Sequence, residues 1–166
     1  MARRARLPGE HLLSQARERA LTLLYEADVK GISPREVLAN QIVDPDPLTT
    51  LLVEGVADDY DLLNEMISAN ARGWTIERMP SLDRAVLRLA ITELRKRPDV
   101  PIAVVIDEAV SLAKRFSTDD SGRFVNGMLS TVARELRRRE PVREAVPEVV
   151  PEAVVEPDRD PAESAG

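Results

Sequence analysis

Cysteine is absent from the 166 residues, and histidine occurs once, at His11. Such a chain has no disulfide framework, no thiolate zinc site and no cysteine nucleophile, and a Ser-His-Asp triad or a His-rich metal site is disfavoured. Its seven glycines are scattered, and none falls in a GxxxxGK or GxGxxG spacing, which removes nucleotide binding by those routes. No apolar run approaches the ~18 residues of a membrane span. The basic opening Met1-Ala2-Arg3-Arg4-Ala5-Arg6 has the charge of a signal-peptide start, but Pro8, Gly9, Glu10, His11 and Gln15 follow it instead of an apolar stretch. A cytoplasmic protein is expected, with no membrane segment, no metal and no cofactor. With 43% hydrophobic and 3% aromatic residues, the length fits one compact domain with a modest core.

Charge is unevenly placed. The net charge is −6, from 23 basic and 29 acidic residues, and residues 140–166 hold 2 of the former and 8 of the latter. The first 139 residues are therefore neutral, and the acidic balance of the whole describes its tail. That tail holds five of the twelve prolines in a loose Val-Pro-Glu repetition and is expected to be disordered. The expected organisation is a flexible basic N-terminal arm over 1–9, a helical domain over 10–139 and the acidic tail over 140–166.

Between arm and tail the periodicity is helical throughout. Leu13, Ala16, Ala20, Leu23, Leu24 and Ala27 recur at three- and four-residue steps, predicting a helix over 11–30 that Gly31 stops. Ser33-Pro34-Arg35-Glu36 has the cap hydroxyl, first-turn proline and following glutamate of a second, short helix, to about Gln41. After Pro45-Asp46-Pro47, the series Leu48, Leu52, Val56, Leu63, Ile67, Ala71 predicts one long third helix ending before Gly73, followed by a turn at 74–79. In 82–96 apolar residues surround most of the circumference, predicting a helix buried on nearly every side. Ile102 to Ile106 is β-branched enough for a strand, but a four-residue period continues to Phe116 and favours helix. A last helix follows the caps at Thr118-Asp119-Asp120-Ser121 and ends in Arg137-Arg138-Arg139. The predicted fold is all-α, about six or seven helices packed around 82–96.

Catalytic constellations are lacking. Asp107-Glu108 and Asp119-Asp120 are acidic pairs, but sequence neighbours on a helix point about 100° apart and do not converge on one bond, so capping or solvated surface is the preferred reading. Basic residues are more informative. Arg3, Arg4, Arg6, Arg17 and Arg19 crowd the first 19 residues, as in arms and helices that grip RNA phosphates, and Tyr25 offers a ring for stacking. A frayed basic start and a partly buried tyrosine are the plain alternatives. Asn126-Gly127 inside a helical pattern costs about 1 kcal/mol at the glycine alone, for which close helix packing at Gly127 is the structural explanation. Arg123 and Phe124, at a helix start, are suited to a phosphate and a base.

Asp83-Arg84-Ala85-Val86-Leu87-Arg88-Leu89-Ala90, Asp99-Val100-Pro101, Ile106-Asp107-Glu108-Ala109-Val110-Ser111-Leu112-Ala113-Lys114 and Phe124-Val125-Asn126-Gly127-Met128-Leu129 follow one another in order and spacing. Together with Ala20-Leu21 and Leu24-Tyr25-Glu26-Ala27-Asp28, they resemble the NusB family of bacterial transcription antitermination factors over roughly residues 15–136. The resemblance implies two packed helical subdomains and no catalysis. It implies binding of boxA RNA in ribosomal RNA leaders together with NusE, a small-subunit ribosomal protein, in a complex with NusA, NusG and RNA polymerase that suppresses premature termination. Carried over position by position, the implied RNA surface is Arg17, Arg19, Tyr25, Asp83, Asp120, Arg123 and Phe124. One departure stands out: many family members have consecutive arginines just before the position of Arg17, where this chain has Leu12-Leu13-Ser14-Gln15. Three lost phosphate contacts would flatten the salt dependence of RNA binding by about 0.7 each in log K against log salt.

Two other readings compete. A helical protein-interaction module, as a homodimer hiding the basic helix, would have weak or lost RNA binding. The NusB-like domain of RNA cytosine methyltransferases is disfavoured, because no cofactor-binding domain and no cysteine are present.

Overall fold

The computed structural model describes residues 8–139, and the expected acidic tail and most of the expected N-terminal arm lie outside them. Seven α-helices and no strand occur among the described residues: α1 (Pro8–Lys30), α2 (Pro34–Ala39), α3 (Pro47–Asp58), α4 (Tyr60–Asn70), α5 (Ser81–Lys96), α6 (Ile102–Phe116) and α7 (Asp119–Arg139), with a 3-10 turn at Ile76–Arg78. Helix α1 starts at Pro8, so the last two residues of the expected arm are helical. The 102–106 segment is helix, as its longer period indicated.

Local chemistry explains most boundaries. Gly31 has φ 66°, the left-handed conformation that ends α1. Ser33 accepts a hydrogen bond from the Arg35 amide with Pro34 in the first turn, and Asp46 caps α3 through the Thr49 amide with Pro47 behind it. The expected long third helix is two. Asp59 leaves helical geometry at φ −109° and ψ 21°, and its carboxylate accepts a hydrogen bond from Arg95 Nη1 (2.7 Å) with Lys96 Nζ at 3.5 Å, both on α5. A tertiary ion pair thus fixes the break, and the hydrophobic period is blind to it because Val56 and Leu63 stay in phase across it.

Helices α1, α2 and α3 pack on one another, α4 to α7 form a second group, and α1 and α3 lie against α5, giving the two packed subdomains. Leu87, Ile91, Val86 and Leu89 of α5 are buried with Leu52, Val56, Leu63, Ile67 and Leu129 in one core. Truncating such a side chain to alanine costs about 2–5 kcal/mol. Gly55 permits the approach of α3 to α5: a Cβ there would stand 2.6 Å from Thr92 Cγ2. The packing expected at Gly127 is not found. Nothing lies within 4 Å of a Cβ placed there, so that glycine faces open space and its propensity cost has no packing return. Among the described residues no helix is long and apolar enough to cross a membrane.

Candidate nucleic-acid interface

Helix α7 begins with exposed Asp119, Asp120 and Arg123 and the half-buried Phe124. This turn is tied down from inside. The Ser121 hydroxyl donates to Asp83 Oδ2 at 2.9 Å, and the Ser117 and Thr118 hydroxyls stand 3.0 and 2.9 Å from Ser121 Oγ. Since the Ser121 proton goes to a carboxylate, which only accepts, Ser117 and Thr118 must be the donors in those contacts. Thr118 Oγ1 in turn accepts the Ser121 amide at 3.0 Å. Asp83 and Ser121 are 4% and 5% exposed, so the bond between them is interior and joins the first turn of α5 to that of α7, with half-buried Ser117 and exposed Thr118 at its rim. Gly122 completes the fit, with the Lys114 side chain lying where a Cβ would stand, 2.6 Å away.

Of the seven carried-over residues, four gather at this corner. Asp120, Arg123 and Phe124 are on α7, and Asp83 is bonded beneath them. Tyr25, 40% exposed, shares a face of α1 with Glu18 one heptad earlier. Glu18 accepts from Arg115 Nη1 at 2.7 Å, which draws that face toward the α6–α7 junction. Asp28, one turn beyond Tyr25, accepts from Arg84 Nη2 at 2.8 Å, next in sequence to Asp83. Asp83 differs from the expectation: it is buried, with its Oδ2 held by Ser121, and in this conformation it positions α7 rather than facing a base.

Arg17 differs as well. It is 3% exposed, and its Nε and Nη2 donate to the two oxygens of Glu93 at 2.9 and 2.6 Å, a bidentate pair that Glu108 flanks at 3.8 Å. Burial alone works against its charge, and the hydrogen bond and charge of Glu93, with the charge of Glu108, more than offset this and hold its pKa above the ordinary arginine value. In this conformation Arg17 joins α1 to α5 and presents nothing to a phosphate. Arg19 lies on another face of α1, half-buried, and donates to the Val43 carbonyl at 3.1 Å. Both α1 arginines are therefore engaged by partners that are not on α7.

Sequence reasoning passed over Trp74. It is 54% exposed, and its ring centre lies 6.1 Å from that of Phe124. A solitary tryptophan in a loop after a glycine was the available signal. Elsewhere, a cleft of about 420 Å³ between α1, α2, α3 and α5 has Arg88 in its lining, but that guanidinium is held by Asn64 Oδ1 at 2.9 Å and stacks over Tyr60 at 4.6 Å. No group of three or more acidic or histidine side chains suited to a metal occurs among the described residues.

Residues 14–134 match the model of the NusB family. The chain belongs to the NusB family. It is 48% identical over 126 residues to the transcription antitermination protein NusB of Saccharopolyspora erythraea, covering 72% of this chain and 85% of that one. The structure is similar to that of T. maritima NusB, with a TM-score of 0.68 and 32% identity over 74% of this chain and 91% of the other. It is also similar to a chain from a solved complex of antitermination factors NusB and NusE with double-stranded RNA, with a TM-score of 0.64 and 25% identity over 74% of this chain and 96% of that one. NusB-family proteins are antitermination factors rather than enzymes.

Proposed function

We propose that this NusB-family chain works in the cytoplasm as a transcription antitermination factor that binds the boxA element of ribosomal RNA leaders together with NusE. In that role it joins NusA, NusG and RNA polymerase and makes the polymerase resist premature termination. The observation that carries this reading is the start of α7, where Arg123 and Asp120 are exposed beside Phe124 on a turn fixed from within by Asp83 and Ser121. Its likeness to the chain of the NusB–NusE–RNA complex supports the choice of partners. The chemistry is scaffolding: Arg123 anchors a phosphate while Tyr25 and Phe124 meet unstacked bases. Arg17 acts from the interior, holding α1 in place.

A salt titration of fluorescent boxA RNA against a scrambled control, with and without NusE, tests the proposal. Tight, sequence-selective binding in the presence of NusE is expected, and equal binding of both RNAs with NusE present would overturn it.

One observation favours the second reading, a homodimeric protein module. Leu12 and Leu13, which stand where many family members carry arginines, are 66% and 38% exposed, and a second copy would bury them. A dimer that persists unchanged when boxA RNA and NusE are added would decide for it.

A further inference from the structure

Trp74 is the one tryptophan of the chain, yet more than half of its surface faces solvent, 54% by area. An indole left open forgoes one of the largest burial gains available to a side chain, which calls for a local reason. The turn bearing it is firmly held. Ala71 and Met79 at its two ends are buried, and Gly73, at φ 72°, takes the left-handed step that brings the chain out to Trp74. Arg84 Nη1 reaches the carbonyls of Ile76 and Glu77 at 3.3 and 3.4 Å, while its Nη2 is bound to Asp28 and Ser81. The ring therefore stands on a clamped turn, tilted 32° to Phe124 with the centres 6.1 Å apart.

The charges beside this ring pair are mixed. Arg72 and Arg78 flank Trp74 in the turn and Arg123 precedes Phe124, while Glu77, Asp119 and Asp120 also stand exposed on these two segments. A surface for gripping phosphates alone would be uniformly basic. Aromatic faces among both signs of charge suit an unstacked base, whose ring stacks while its edge offers both donors and acceptors.

Resting on the RNA-binding reading above, we infer that Trp74 and Phe124 together form a stacking platform for a base of single-stranded RNA. Trp74 extends the α7 corner onto the loop before α5, and Asp83 and Arg84, neighbours at the start of α5, hold the two halves: Asp83 through Ser121, Arg84 through the carbonyls of Ile76 and Glu77.

The full chain with NusE is titrated with a boxA oligoribonucleotide. Anisotropy of a labelled RNA reads binding, and emission of Trp74 with unlabelled RNA reads stacking, with Trp74→Phe as the blank. Trp74 emission should be quenched with the same midpoint as the anisotropy change. Trp74→Ala should weaken binding about five- to hundredfold, the range found for one stacked base, with the salt slope unchanged because no phosphate contact is lost, and Trp74→Phe should keep most of the affinity. RNA binding with neither quenching nor an effect of Trp74→Ala would overturn the platform and leave the RNA reading standing. Quenching by NusE alone, with no further change on adding RNA, would assign Trp74 to a protein contact and overturn it equally. Absence of RNA binding by the wild-type pair would sink both. Quenching of the wild-type ring decides the matter even where Trp74→Ala folds poorly.

Discussion

Arg17 and Arg123 both stand among the residues that the family resemblance assigns to RNA, and the fold treats them in opposite ways. Arg123 is exposed at the start of α7, whereas Arg17 is enclosed between α1 and α5, 3% exposed and held by Glu93. The difference teaches that a cation in a recognised motif has two uses, and the face of the helix it occupies decides between them. Arg17 lies within the apolar stripe of α1, between Leu13 and Ala20, and its partner Glu93 lies within the apolar surround of α5. Arg123 lies off the stripe formed by Phe124, Val125, Met128 and Leu129.

Breaking the buried pair should have the largest effect. Glu93→Ala leaves Arg17 buried beside an empty place and should destabilise the fold by about 3–5 kcal/mol, read as a lower urea midpoint at an unchanged m value. A loss below about 1 kcal/mol, the range of an exposed pair, would place Arg17 in solvent and dissolve the contrast.

Ser121→Ala should cost less, about 1–3 kcal/mol by thermal unfolding. It removes the hydrogen bond to Asp83 Oδ2, and Asp83 Oδ1 has no hydrogen-bond partner among the described residues. An unchanged melting temperature would show that Asp83 is satisfied elsewhere and free to turn outward.

Arg123→Ala sharpens the other side. Stability should stay within about 0.5 kcal/mol, as for an ordinary surface change, while the slope of log K against log salt for RNA binding should fall by about 0.7. An unchanged slope would remove Arg123 from the phosphate contacts.

The smallest effect concerns acid. Burial tends to raise the Asp59 pKa, but the hydrogen bond and charge of Arg95, with Lys96, outweigh it and set the carboxyl below its ordinary value. Because the unfolded chain then takes up the proton first, this contribution is full above the unfolded value of about 4 and is lost as pH falls through the lower folded value. Arg95→Met should flatten that acid limb in pH-dependent unfolding, and a parallel curve would show that Asp59 draws nothing from Arg95.

Helix positions were legible because apolar side chains repeat at helical steps and because Ser33-Pro34, Asp46-Pro47 and Gly31 are local stop and start chemistry. The break at Asp59 was not legible, since Arg95 and Lys96 that fix it are more than thirty residues away in sequence. The same limit explains the site. Tyr25, Arg123 and Phe124 were legible as residue types suited to RNA, and Arg123 and Phe124 stand together on α7, but resemblance transfers residue types, not side-chain directions. For Arg17 and Asp83 the direction was encoded all the same: Asp83 shares the inward face of α5 with Val86, Leu87 and Ala90, and a charged residue in such a stripe calls for a buried partner. Gly127 misled because a costly residue invites a packing explanation, and here no neighbour is near.

Photo-crosslinking of boxA RNA to the complex of this protein with NusE, mapped to residues by mass spectrometry, tests the central claim most directly. The account predicts crosslinks at Phe124 and Trp74, in the corner formed by α7 and the loop before α5, and at Tyr25 on α1. Crosslinks confined to the start of α1 around Leu12 to Arg17, with none at that corner, would contradict it.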